Sequence, residues 1–128
     1  MGYLLGESIQ APVRNITPTT LQPDVIEQLR QADHIVTEEL MKAGEYERVS
    51  QVPVILVPLP FGKTGGRSIV IRTIITNDFM TGVPAIPGKD LAESTLQRMD
   101  ERILAEVEGI SRVMFDLTGK PPGTTEWE

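Results

Sequence analysis

Ser68-Ile69-Val70-Ile71-Arg72-Thr73-Ile74-Ile75-Thr76 decides the architecture of this chain. The run is dense in β-branched residues and is the clearest strand in the sequence. A period of two puts Ile69, Ile71 and Ile75 on one face and Val70, Arg72 and Ile74 on the other. Both faces are therefore largely apolar. An antiparallel strand with one wet face should alternate apolar and polar residues. The sequence thus predicts that a second molecule or another domain covers the face turned away from the helices.

Upstream, Val52-Pro53-Val54-Ile55-Leu56-Val57-Pro58-Leu59-Pro60 reads as a second strand, with prolines marking an edge or irregular ends. Gly62-Lys63-Thr64-Gly65-Gly66 is a turn between them, so the two strands form a hairpin. Further upstream, Val25, Leu29, Ala32, Val36 and Leu40 make one helical stripe. Pro23 suits the first helical position and Gly44 the C-terminal cap. Downstream, Ala92, Leu96, Met99, Ile103 and Val107 mark a second helix over about 90–107, ended by Gly109. Ile110 to Leu117 alternates as a further strand, with Val113, Phe115 and Leu117 on one face. The expected fold is α+β: a two-layer sandwich with two helices on one face of a small antiparallel sheet, in the order α-β-β-α-β-β. Residues 1–20, irregular and holding Pro12 and Pro18, read as an arm or linker from a preceding domain, and residues 21–128 as the domain itself.

Composition narrows the function. With 128 residues, 40% hydrophobic and 23% charged, the chain has the material for one soluble domain. A formal charge of −6 argues against a nucleic-acid reader, which needs a basic face. The absence of cysteine removes a disulfide framework, a thiolate metal site and a cysteine nucleophile. One histidine cannot build a multi-histidine metal site. No apolar run approaches a membrane span, and the first residues lack a basic signal-peptide start, so a cytoplasmic location is expected.

Several motifs compete for attention. Gly62-Lys63-Thr64 ends like a phosphate-binding loop, but Val57 stands where that motif needs glycine and a strand follows where it needs a helix. Gly62 to Gly65 also fits the G-x-x-G of a KH module, which joins helices rather than strands. A free-standing KH-like RNA-binding or protein-interaction module is the alternative reading of the whole chain. His34 beside Asp33 reads as a surface residue. Arg72, inside an apolar strand, requires an anionic or carbonyl partner, and Asp78 or Asp116 can serve. The strongest signal is the tail. Lys120 precedes two stiffening prolines, and Thr124, Thr125 and Glu126 set hydroxyls and a carboxylate beside Trp127, the single tryptophan. A lysine grips phosphate and a carboxylate accepts from a purine or ribose, which is the chemistry of a nucleoside monophosphate site. The plainer reading is a polar terminus.

The ending Lys120-Pro121-Pro122-Gly123-Thr124-Thr125-Glu126-Trp127-Glu128 closely resembles the C-terminus of the glutamine-hydrolysing GMP synthases. So do Ile110-Ser111-Arg112-Val113-Met114-Phe115-Asp116-Leu117-Thr118, Ile71-Arg72-Thr73, Asp78-Phe79-Met80-Thr81, Leu29-Arg30-Gln31-Ala32-Asp33 and Ser50-Gln51-Val52-Pro53-Val54-Ile55-Leu56. The likeness is nearest to the second unit of the doubled, eukaryotic-type C-terminal dimerisation region. It implies a part in converting XMP to GMP, in which a glutaminase domain frees ammonia and an ATP pyrophosphatase domain adenylates XMP. It implies a homodimer, with Lys120 on the XMP phosphate, Thr125 and Glu126 holding the nucleotide, and Gln51 contributing from the strand entrance. The chain carries neither the glutaminase cysteine nor a Ser-Gly-Gly-x-Asp-Ser loop, so no catalysis is expected from it alone. ATP and Mg would be cofactors of the parent enzyme, with no cofactor, nucleic acid or membrane bound by this chain. Pro58-Leu59-Pro60-Phe61-Gly62-Lys63 lacks the arginine of the family's other unit, and Gly119 stands where the family often has serine.

Overall fold

A computed structural model describes residues 17, 19–20, 22–60, 66–75 and 82–119. Helix α1 spans Pro23–Lys42 and begins at proline as the sequence predicts. Its buried side is Val25, Ala32, Ile35, Val36 and Leu40, joined by Glu39. The helix ends in a Schellman arrangement: the Gly44 N–H donates to Met41 O and the Glu45 N–H to Leu40 O, with Gly44 at φ 71°. A positive φ is what glycine permits there. Helix α2, Glu93–Glu106, buries Leu96, Met99 and Ile103, and Gly109 at φ 88° turns the chain into the strand that follows.

The main sheet has three strands in the order β1 (Val54–Val57), β2 (Arg67–Arg72) and β5 (Ile110–Asp116). Between β2 and β5 the chain makes a small ladder, β3 (Ile74–Ile75) against β4 (Val83–Pro84). The α+β class is as expected, with one difference. β1 and β2 are antiparallel, but β2 and β5 are parallel, so the sheet is mixed. The cause is the connection: between β2 and β5 the chain crosses through α2, and such a crossover returns the next strand in the same direction. The expected final strand falls after residue 119, outside the described residues. The predicted single strand 68–76 breaks at Thr73, whose carbonyl turns to accept the Ala85 N–H at 2.8 Å.

The core lies between helices and sheet. Ile69 and Ile71 of β2 meet Ala32, Val36 and Leu40 of α1 and Met99 and Ile103 of α2, flanked by Val54, Leu56, Val113 and Phe115. The outer face of β2 is not open, contrary to the sequence reading. Ser68 is 0%, Val70 1% and Arg72 1% exposed within the chain itself. Part of that closure is the segment after β1: the Ser68 hydroxyl donates to Leu59 O and the Ser111 hydroxyl to Pro60 O. The assigned arm also joins the domain earlier than residue 21. Thr17 is buried, donates its N–H to Pro58 O at 2.9 Å and its hydroxyl to Gly66 O, while Thr19 accepts from Arg67 Nε.

Candidate functional site

Gln51 is the one sequence-predicted site residue among those described. It lies just before β1 and pairs across to Ile74: its carbonyl accepts the Ile74 N–H at 2.9 Å, and its N–H donates to Ile74 O at 3.2 Å. Ile74 is in turn the register partner of Pro84. Gln51 and Pro84 therefore flank one residue, about two strand spacings or ~10 Å apart. Pro84 also borders the departing C-terminal segment, because a Cβ built on Gly119 would meet Gly82 O at 3.5 Å and Pro84 Cδ at 4.0 Å. So Gln51 and the last described residue before Lys120 sit at the same end of the sheet. The Gly119 contacts are ordinary van der Waals distances, so a Cβ would fit at this position.

The same end holds Arg72. Its guanidinium is 1% exposed, and Nη2 donates to Thr118 O at 2.7 Å. Nε lies 3.5 Å from Asp116 Oδ2 and, among the described residues, makes no hydrogen bond. Asp116 is thus the expected partner; Asp78 falls outside the described residues. The contact to a backbone carbonyl could not be read from strand periodicity, though a charged residue in an apolar run was its signal. Lys120, Thr125 and Glu126 also lie outside the described residues.

Other candidates fall away from this end. His34 is exposed and pairs with Glu38 of its own helix at 3.3 Å. β2, a strand, follows the Gly62-Lys63-Thr64 segment, as expected for a turn and not for a phosphate-binding loop. A groove of about 460 Å³ lined by Asp24, Glu27, Gln28, Gln31, Glu108 and Gly109 lies by the start of β2, where Arg67 donates to Gln28. Its three carboxylates disfavour a phosphate. Among the described residues no cluster of histidine and carboxylate side chains is arranged to hold a metal, and no helix is long and apolar enough to cross a membrane.

The two helices are tied to each other by charges. Arg102 Nη1 donates to Glu39 at 2.8 Å and to Glu38 at 2.6 Å, its Nε to Glu106 at 2.7 Å, and Arg98 Nε to Glu39 at 2.9 Å. The Arg102 hydrogen bond holds Glu39 below the usual carboxylate range despite burial, and Arg98 adds to it. Arg102 likewise lowers Glu38 and Glu106. A carboxylate depressed in the folded state stabilises fully above its unfolded value, ~4.3, and loses that contribution as pH falls through the folded value. The thermal midpoint should therefore fall steeply below about pH 4. Glu39→Gln should flatten that limb and cost about 1 kcal/mol at pH 7, a modest figure because both arginines are partly exposed. Melting curves from pH 7 to 3 check both.

The fold is an α+β sandwich whose one sheet end gathers a polar strand entrance and the start of a lysine-bearing tail. The family model described as GMP synthase C terminal domain matches residues 38–127. The GMP synthase [glutamine-hydrolyzing] of Dictyostelium discoideum is 60% identical over 116 residues, covering 91% of this chain and 16% of that protein. The probable GMP synthase [glutamine-hydrolyzing] of Caenorhabditis elegans is 40% identical over 144 aligned positions, covering 98% of this chain and 19% of that protein. The corresponding protein of Nitrosomonas eutropha is 44% identical over 108 residues, 80% of this chain and 20% of its own length. The chain belongs to the GMP synthase C-terminal domain family. It spans a fifth or less of the length of these curated relatives.

Proposed function

We propose that this chain serves as the C-terminal domain of a glutamine-dependent GMP synthase, pairing subunits and lending residues to the XMP site. Lys120 neutralises the XMP phosphate, Thr125 and Glu126 hold the nucleotide, and Gln51 supplies an amide from the strand entrance. The chain makes no GMP alone. Amination needs the glutaminase and ATP pyrophosphatase domains, with ATP and Mg as their cofactors, in the cytoplasm. The observation that carries the reading is that Gln51 and Gly119, the residue before Lys120, lie at the same end of the sheet, linked through Ile74 and Pro84. An amide offers both donor and acceptor to a purine edge, and an ammonium offers charge to a phosphate, so the two divide a nucleotide sensibly.

Trp127 adjoins Glu126 and reports on the tail. Titration with XMP should change its emission saturably, while AMP, with a different purine edge, should not. An equal response to both, or none to XMP, goes against the assigned site. Sedimentation of the chain at micromolar concentration should return twice the monomer mass; a monomer goes against the pairing role.

A further inference from the structure

We propose that Arg72 is a positioning residue for the C-terminal segment: with Asp116 it clasps Thr118 and so fixes where Lys120 is delivered. The nucleotide part of this rests on the reading above; the clasp does not. Arg72 and Asp116 close β2 and β5 and are register partners in the parallel ladder. Both polar groups of the Thr118 backbone end on them. The carbonyl accepts from Arg72 Nη2 at 2.7 Å, and the N–H donates to Asp116 Oδ1 at 2.9 Å. Two charged side chains thus fix the chain where it leaves β5.

Packing does not account for Arg72. Val70 shares its face and is fully buried, so an aliphatic side chain would suit this position. A buried guanidinium is costly unless well partnered. Among the described residues this one leaves Nε without a hydrogen bond, 3.5 Å from Asp116, while Nη2 donates to the Thr118 carbonyl. The geometry favours the hold on Thr118 over the best ion pair. Gly119 then passes against Gly82 and Pro84, beside the ladder whose Ile74 also pairs with Gln51. Lys120 follows within ~7 Å of Thr118 along the chain, so releasing the clasp releases the lysine.

The test crosses two variants of the 128-residue chain. Arg72→Lys keeps the charge beside Asp116 but loses the fork that also reaches Thr118. It should lower the melting temperature only modestly, speed amide exchange at residues 117–119 about tenfold, and weaken XMP, read by Trp127, about tenfold. Asp116→Asn keeps an acceptor for the Thr118 N–H but strips the buried guanidinium of its counter-charge. It should lower the melting temperature more than Arg72→Lys and weaken XMP less. XMP affinity that simply follows melting temperature across the two overturns the proposal, as does unchanged exchange at 117–119 in Arg72→Lys. If the wild-type chain ignores XMP, the nucleotide reading fails, and the exchange measurement alone then decides the clasp.

Discussion

Replacing Glu45 with alanine is expected to destabilise the chain by about 2–4 kcal/mol and to lower its melting temperature by about 10 °C. Glu45 is 4% exposed, yet it is charged. The Schellman turn after α1 delivers it to the start of α2. There its carboxylate accepts the Ala92 N–H at 2.8 Å and the Thr95 hydroxyl at 2.6 Å. Ala92, the N-cap of α2, has no side-chain cap of its own. Glu45 supplies that cap from a distance, with its negative charge at the positive end of the helix. Alanine would leave the buried Thr95 hydroxyl and the Ala92 N–H without this acceptor and remove the anion. Arg48, 3.5 Å away and largely exposed, adds little. Glu45→Gln keeps one acceptor oxygen and should lose about half as much. Circular-dichroism melts of the three proteins measure the order; a Glu45→Ala melt within a degree or so of wild type contradicts the capping role.

Lys120→Ala should weaken XMP by roughly ten- to a hundredfold, the usual worth of a charge-assisted contact to phosphate. The same change should leave melting temperature and subunit pairing alone. The loss should shrink as salt rises, because salt screens the interaction that has been removed. Glu126→Gln should act differently, reducing preference for XMP over AMP more than overall affinity. Titrations of Trp127 emission at two ionic strengths distinguish these outcomes. Unaltered XMP affinity in Lys120→Ala removes the lysine from the site.

The helices were legible because their stripes are regular and their ends carry Pro23, Gly44 and Gly109. The break at Thr73 was not. Ile74 and Ile75 continue the β-branched run, and only the partners change, from β1 and β5 to β4 and Gln51. A strand's own pattern does not say which way its neighbour runs, so the parallel pairing of β5 was hidden. The α2 crossover was the available clue. The burial of Glu39 and Glu45 ran against composition, since glutamates are rarely buried unpaired. Position 39 nevertheless falls on the α1 stripe, four after Ile35 and three after Val36. The covered face of Val70 was misjudged because the sequence does not show that residues 59–60 return over the sheet. Of the site, Gln51 was singled out by resemblance, and its approach to Gly119 through Ile74 emerged only from the fold.

If the proposed function is right, this chain can do the work of a GMP synthase C-terminal domain. The most direct measurement is GMP formation by the Dictyostelium discoideum enzyme with this chain substituted for its matching C-terminal part. The hybrid should form GMP in a glutamine- and ATP-dependent reaction with a KM for XMP close to the parent's, and deletion of the chain should abolish it. A folded, dimeric hybrid that forms no GMP would contradict the proposed function.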